Sequence, residues 1–219
     1  VVDPIQTGTK IADENTQGYD KESNSMIWNV ELKAGDVIEL TVVVRVEDKT
    51  KTTIKNVATI DGEEIPDKPT TKVAHITTTK TSTPSKTPLH ELDTITYTLA
   101  ATNDGTGAGS VKIADTIPVG SSLVGDFIIG DKTYTVDDLN KGIEVELNAG
   151  DSKSIVFTVQ VKPFKSEDEN VVEKNGRTIR TIRNAEATQD GKEVPPTEDT
   201  VEKEYVSITA KKAWKDADN

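Results

Sequence analysis

The sequence contains no cysteine, only two histidines and few aromatic residues. Without cysteine the chain can form neither disulfides nor thiolate metal sites, so a covalent staple would have to use other side chains. His75 and His90 stand in no metal-binding or catalytic-triad spacing, which argues against a conventional enzyme. An apolar content of 33% predicts thin hydrophobic cores rather than one thick core.

Long apolar runs and excess basic charge are also missing. No stretch is long and apolar enough to span a membrane and no export signal opens the chain, so we expect no membrane insertion and interpret the sequence as mature or excised. The net charge of -12 argues against nucleic acid as a partner, because such binding relies on basic side chains. Acidic stretches such as residues 166–170 leave calcium as an alternative, but without a spaced EF-hand loop we expect no metal and no cofactor.

Alternating strands dominate what is present. In the stretch Asp93–Gly120, Ile95, Tyr97 and Leu99 point to one face while three threonines point to the other, which is typical of a half-buried strand. A turn-forming Asn-Asp-Gly-Thr-Gly run follows, and then a second alternating strand. Many short strands with frequent turn signals predict an all-β fold of tandem antiparallel immunoglobulin-like β-sandwiches.

The chain contains an internal repeat. The segment VVDPIQTGTKI at the start resembles IADTIPVGSSL at an offset of 112 residues. ELKAGDVIELTVVVRV resembles ELNAGDSKSIVFTVQV at an offset of 115, and both predict an Ala-Gly-Asp turn followed by a long alternating strand. Farther on, IKNVATIDGEEIP resembles IRNAEATQDGKEVP, and ITTTK resembles ITAKK. Self-similarity at this spacing indicates tandem domains rather than a solenoid of short repeats.

The repeat register predicts three segments. Residues 1–77 are the later part of one sandwich whose opening strands we expect upstream, 78–207 are a complete sandwich, and 208–219 are the first strand of another domain. The two repeats have almost no linker between them, which predicts a stiff joint near Val73–Thr79.

Three polar residues recur in this register and face the core. Lys80 lies on the first strand of the complete copy, Asp115 in its middle and Asn184 on a late strand, and alternation turns each side chain inward. If they meet, burial lowers the lysine pKa and raises the aspartate pKa, which places a neutral amine beside a neutral acid. The amine can then attack the asparagine carbonyl and expel ammonia, which leaves an isopeptide bond.

This pattern resembles a known group of proteins. Lys80-Thr81, LDTITYTLAATNDG, IADTIPVGSSL and a late IRNAEAT are similar to the isopeptide-forming surface-repeat and fimbrial domains of Gram-positive adhesins and pilins. The tail ITAKKAWKDADN resembles the first strand of a collagen-adhesin B-type repeat, in which Lys212 would be the cross-linking lysine. The resemblance implies Lys80 as nucleophile, Asn184 as electrophile and Asp115 as catalyst. The sequence departs from the family in having few aromatic residues to shield the site, and the candidates are Tyr97, Phe127, Tyr134 and Phe157.

The same residues have simpler interpretations. Lys80 could be an exposed strand lysine, Asp115 a turn cap before Pro118, and Asn184 a satisfied polar residue at a bulge, since the following Ala-Glu-Ala interrupts the alternation. Asp3 and Asn56 occupy the equivalent positions of the first copy, and we expect them to remain unlinked.

The resemblance implies a structural function at the cell surface. We expect an extracellular stalk segment of a cell-wall-anchored bacterial adhesin or pilus-like protein, locked by an autocatalytic Lys-Asn bond. Its partners would be other domains of the same protein, with host matrix protein or glycan reached through distal domains. The alternative is a ligand-binding module without a cross-link, for which Trp28 is the obvious aromatic candidate.

Overall fold

The computed structural model describes residues 1–48, 50–129, 132–165 and 171–203. The fold is almost entirely β, with antiparallel sheets and a sandwich arrangement, as the alternating pattern predicts. Within the described residues, no helix is long and apolar enough to cross a membrane.

Short strands make up the N-terminal region, which is defined here as residues 1–75. Its strands are β1 Val2–Pro4, β2 Thr9–Ile11, β3 Tyr19–Asp20, β4 Ser25–Ile27, β5 Val44–Val46, β6 Thr53–Lys55, β7 Thr59–Ile60, β8 Glu63–Glu64 and β9 Thr70–Lys72. They form a five-stranded sheet in the order β3-β4-β1-β7-β8 and two pairs, β2-β5 and β6-β9. Buried Ile5, Ile11 and Met26 form a small core against which Trp28 and Val42 pack.

Longer strands make up the C-terminal region, residues 76–203. Its elements are β10 Ile76–Pro84, β11 Thr94–Asn103, β12 Gly109–Ala114, β13 Ser121–Leu123, β14 Phe127–Ile129, β15 Lys132–Tyr134, α1 Val136–Lys141, β16 Ile143–Leu147, β17 Ser152–Val161, β18 Val171–Lys174, β19 Arg177–Asn184, β20 Thr188–Gln189, β21 Lys192–Glu193 and β22 Thr197–Glu202. The main sheets run β10-β11-β17-β13, β16-β12-β20-β21 and β18-β19-β22. The β14-β15 hairpin stands beside them.

The core of the C-terminal region follows the predicted alternation. Ile95, Tyr97 and Leu99 of β11 are fully buried, while the threonines between them are only half-buried. They pair in register with Val159, Phe157 and Ile155 of β17, which are equally buried. Because side chains alternate across a strand, these two strands give one face of the sandwich almost entirely to the core.

One strand prediction is only partly right. The repeat predicts the same long alternating strand in both copies, and in the C-terminal region it is the ten-residue β17. In the N-terminal region only β5, three residues long, is a strand, and it pairs with β2. In β17 the inner residues lie against β11, whereas no counterpart of β11 is present among the described residues of the N-terminal region. A strand needs a ladder partner, so the residues before β5 remain irregular.

The turn sequence Asn103-Asp104-Gly105-Thr106-Gly107 forms the joint between the two regions. The buried Asn103 amide donates to the Gly107 carbonyl at 2.9 Å, and its oxygen accepts from the backbone N–H of His75 at 3.0 Å and of Gly105 at 3.1 Å. The Thr106 backbone N–H donates to the Val73 carbonyl at 3.0 Å. The loop is therefore hydrogen-bonded to the segment that joins the two regions.

Gly105 allows this close approach. A Cβ at Gly105 would stand 2.4 Å from the His75 nitrogen and from the Val73 oxygen, and both are backbone atoms that cannot swing away. We expect Gly105→Ala to open the joint, so that the amides of Asp104, Thr106 and His75 exchange with solvent at least ~tenfold faster. Hydrogen exchange followed by mass spectrometry measures this change.

The matched control is Gly176→Ala, where an added Cβ meets nothing within 4 Å but the backbone φ is +74°. That variant carries backbone strain without touching the joint. Equal protection of the joint amides in Gly105→Ala and in the parent protein would contradict the assignment.

Candidate functional site

The three residues of the candidate site lie on or directly after three different strands. Lys80 is the fifth residue of β10, where its neighbours Thr79 and Thr81 are exposed and its own side chain points inward. Asp115 directly follows β12 and continues the buried face of Val111 and Ile113, while Asn184 is the last residue of β19. Alternation thus turns all three side chains into one interior, as predicted.

The structure brings the three groups into direct contact. Lys80 Nζ lies 3.0 Å from Asp115 Oδ2 and 3.2 Å from Oδ1, and it donates to the Asn184 backbone carbonyl at 3.1 Å. Asn184 Nδ2 donates to Asp115 Oδ2 at 3.1 Å. Asp115 is therefore the shared partner of the amine and the amide.

The site is dry. The side chains of Lys80 and Asp115 are 0% exposed, and Asn184 as a whole is 1% exposed. Burial lowers the Lys80 pKa, although the nearby Asp115 carboxylate opposes this shift. Burial likewise raises the Asp115 pKa, against the opposing effect of Lys80. Both directions favour the neutral amine and the neutral acid, because desolvation penalises the charged forms.

Aromatic rings shield one side of the site. The Tyr97 ring centroid lies 5.8 Å from Lys80 Nζ, and Phe157 packs against Tyr97 with ring centroids 5.4 Å apart. Phe127 continues the cluster at 6.3 Å from Phe157 and stacks on Tyr134 at 6.1 Å. All four aromatic residues expected to shield the site thus belong to one cluster, with Tyr97 nearest to the amine.

The Asn184 amide oxygen is the unusual atom. It is buried and has no hydrogen-bond partner among the described residues, and such an orphan is costly. If the amide turns about its Cβ–Cγ bond, the oxygen faces the Asp115 carboxyl, which in its protonated form donates to it. The arrangement can therefore polarise this carbonyl while a neutral amine lies next to the same carboxyl group.

A protein-family match covers the C-terminal region, which contains the site. Residues 75–204, more than half of the chain, match the family described as Domain of unknown function (DUF7927). The chain belongs to this family. Its description names no activity, and no curated protein matches the chain.

Sequence reasoning missed three groups around the Lys80–Asp115–Asn184 site. The Thr116 backbone N–H donates to Asp115 Oδ1 at 2.8 Å. Asp199 on β22 is half-buried; burial raises its pKa, against a hydrogen bond from Ser82, which neighbours Lys80 on the inward face of β10. Glu186 adds a weaker electrostatic effect that raises the Lys80 pKa. The inward alternation of β22 was the signal that could have revealed Asp199.

A bulge was predicted after Asn184, but β19 ends at Asn184 and residues 185–187 are irregular. Asn184 and Ala187 are both buried, with two more exposed residues between them, so the alternation breaks only after the asparagine has been placed. The Ala-Glu-Ala sequence that interrupts the alternation after Asn184 therefore does not turn the Asn184 side chain away from the core.

The first copy repeats part of the Lys80–Asp115–Asn184 arrangement. Asn56 Nδ2 donates to Asp3 Oδ2 at 3.0 Å, and Asp3 is buried. The third equivalent, Lys212, and the predicted segment 208–219 lie outside the described residues.

Other candidate sites gain little from the structure. In the part of the chain that the structure describes, no group of three or more histidine or acidic side chains could hold a metal. Trp28 is half-buried against the small core around Met26 rather than displayed on a flat surface.

The buried lysine yields a stability prediction. Asp115→Ala leaves the Lys80 ammonium with only a backbone carbonyl, and Asp115→Ala combined with Lys80→Met removes that charge. We expect the double variant to be more stable by about 3–5 kcal/mol at neutral pH, because an unpaired buried charge is removed. Urea unfolding of both variants measures the difference.

The lowered pKa of Lys80 also predicts how the stability difference between the two variants changes with pH. Since the folded pKa of Lys80 lies below its ordinary value of 10.5, the unfolded chain binds more protons in the interval between the two values. The single variant therefore loses stability relative to the double variant as pH falls through that interval. A difference that does not change with pH would contradict a buried, desolvated lysine.

Proposed function

We propose that the chain is a stalk segment of a cell-wall-anchored bacterial adhesin or pilus-like surface protein, locked by an intramolecular isopeptide bond between Lys80 and Asn184. The observation that carries the proposal is the dry contact of one amine, one carboxyl group and one amide, with Asp115 touching both others. A lysine with lowered pKa beside a carboxyl with raised pKa is unusual in a purely structural core, because burying two ionisable groups costs free energy of desolvation.

The chemistry balances within the site. Lys80 Nζ, as the neutral amine, attacks Asn184 Cγ, and protonated Asp115 donates to the amide oxygen. The new C–N bond forms, a proton passes from the former amine through Asp115 to the departing nitrogen, and the Cγ–Nδ2 bond breaks to release ammonia. Asp115 ends as it began, while Lys80 and Asn184 are consumed, so the event occurs once and has no turnover.

A bond at this place would have a mechanical effect. It would join β10 to β19 across 104 positions of sequence. By analogy with disulfides, closing a loop of this size stabilises the fold by about 4–5 kcal/mol. Pulling force that enters near one strand would leave through the other without extending the sandwich between them.

The setting follows from this role. We place the protein outside the cell on a Gram-positive wall, with other domains of the same surface protein as its direct partners. Host matrix protein or glycan would be bound by distal domains rather than by this segment. The proposed reaction needs no cofactor or metal.

Intact-mass measurement tests the chemistry. We expect the native chain to be lighter than its sequence by one ammonia, and a branched peptide to link Lys80 to Asn184. Asn184→Ala and Asp115→Ala should show the full sequence mass, because the first lacks the electrophile and the second the proton carrier.

Matched controls separate the site from general effects. Asn140→Ala changes an exposed asparagine of α1, and Lys112→Arg changes an exposed lysine of β12; both variants should keep the loss of one ammonia. A native chain of unshifted mass would overturn the mechanism.

Single-molecule pulling tests the stalk role. In Asn184→Ala, unfolding should release the 104 positions between the two linked residues, an extension of roughly 350 Å at about 3.3–3.6 Å per residue. The native chain should lack this release, because the bond bypasses the loop. The same release in the native chain would rule out a force-bearing cross-link.

A further inference from the structure

The outer face of the sheet β10-β11-β17-β13 takes no part in the site described above. Every second residue of these strands points away from the core and is exposed or half-buried. On β10 and β11 these outward residues are eight threonines and Ala100. On β17 they are two serines, a valine, a threonine and Gln160. We call the outward residues of β10, β11, β17 and β13 the threonine face.

The threonine face carries no charged side chain, and all of its positions lie within the described residues. The four strands contain two charged residues, and both occupy inward positions: Lys80 is buried, and Lys153 pairs with the buried Ala101. Charges border the face instead, as in the connection from β10 to β11, where Lys86 Nζ lies 2.7 Å from Asp93 Oδ1. Since charged residues make up 29% of the sequence, composition alone does not explain a neutral surface of this size.

The outer faces of the neighbouring sheets show the contrast. Outward positions of β12 and β16 include Lys112 and Glu144, which are opposite one another in register. Outward positions of β19 and β22 include Arg183 and Glu198, whose side chains lie 3.4 Å apart. Strand propensity favours threonine on any of these strands. It does not explain why charge is missing from one sheet alone.

The register arranges the threonine face in cross-strand rows. Thr81, Thr98 and Val156 stand side by side in the middle row. In the next row the Thr96 and Thr158 hydroxyls are hydrogen-bonded at 3.0 Å. Because β-branched side chains have few rotamers and this bond restricts two of them further, covering the face costs little side-chain entropy.

We propose that two copies of the chain associate through their threonine faces. Each copy carries a net charge of -12, so two copies repel one another in most orientations. Contact between two neutral faces places no like charges directly opposite one another and removes no ion from water. A partner with many basic groups would gain nothing from a neutral face. The inference is independent of the proposed cross-link, since no outward residue belongs to that site.

The shape of the sheet also favours a second copy. Two sheets with the usual right-handed twist pack face to face at about −30° to one another. The same face on another copy is therefore complementary, and the pair would be related by a two-fold axis. Small side chains in the central rows let two such sheets approach closely. None of the outward residues is aromatic, and the face forms no cleft of the kind that holds a small ligand.

The area of the threonine face sets the strength of the contact. The face extends about 30 Å along its strands and about 15–20 Å across them. Two copies would bury about 1,000 Å² in total, which is the lower limit of a specific interface. Because the face lacks the tryptophan, tyrosine and arginine anchors that dominate tight interfaces, we expect a reversible dimer with a Kd above about 1 µM.

Sedimentation velocity of the full chain tests the association. We expect a dimer that grows with protein concentration up to about 0.5 mM. Its Kd should fall at least ~threefold when sodium chloride is raised from about 0.05 M to about 0.5 M, because salt screens the repulsion between two acidic chains. A contact made by ion pairs would weaken instead, and that result would overturn the neutral interface.

Charge placed on the threonine face should prevent the association. Thr98→Glu, at the centre of the face, should raise the Kd at least ~tenfold, because the two-fold axis brings the two new carboxylates close together. Thr81→Glu changes an exposed residue of the same row and should act in the same way without disturbing the fold. The matched control is Thr200→Glu, which adds the same charge at an exposed outward position of β22 and should leave the Kd unchanged.

Site-specific cross-linking locates the contact. Because the chain contains no cysteine, an introduced cysteine is its single thiol. Thr98→Cys should be joined to a second copy by a bis-maleimide that spans about 10 Å, the separation of packed sheets, whereas Thr200→Cys should not. Chains that stay monomeric at about 0.5 mM would overturn the proposal, even if their threonine face bound a neutral glycan. Dimers whose Kd is unaffected by Thr98→Glu and Thr81→Glu would overturn it as well.

Discussion

Everything else in the C-terminal region depends on one contact, the meeting of Lys80 with Asp115 in a core from which water is excluded. Removing both groups from water costs several kcal/mol for each ion, and their attraction offsets this only if the remaining hydrogen bonds are satisfied. Asp115 meets that condition through Thr116 and Asn184, whereas the Asn184 oxygen does not. The site is thus nearly but not completely satisfied, and the unsatisfied atom belongs to the group that the proposed reaction would attack.

Sequence alone predicted which side chains face the core, but not which groups they contact there. Two-residue alternation placed Lys80 and Asp115 inward because a strand has only two faces, and the structure agrees. It could not predict that Asn103 anchors the joint, since that role depends on backbone groups brought together only by the fold. Alternation along β22 puts Asp199 on the same face as Val201, but its hydrogen bond with Ser82 of β10 depends on strands that only the fold brings together.

The two copies show how far local sequence determines a strand. Similar alternating segments become the ten-residue β17 in one region and only the three-residue β5 in the other. Propensity is nearly the same in both, so the difference comes from the neighbour: β17 has β11 along its length, and no such neighbour is present among the described residues of the N-terminal region. Strand formation here is a property of pairing, which no reading of a single segment can supply.

A buried lysine and carboxylate are a poor choice if stability is all that matters, because apolar side chains of similar volume serve a core as well or better. The free-energy cost of burying this pair has a use, however, if the lysine and the carboxyl group take part in a reaction. Burial that makes the ionised forms unfavourable brings the neutral amine and neutral acid within reach, and the same burial excludes the water that would compete for the carbonyl. On this argument the electrostatic cost of the core would be the source of the proposed reactivity, and the resulting bond would hold β10 to β19 without relying on the ion pair that first brought them together.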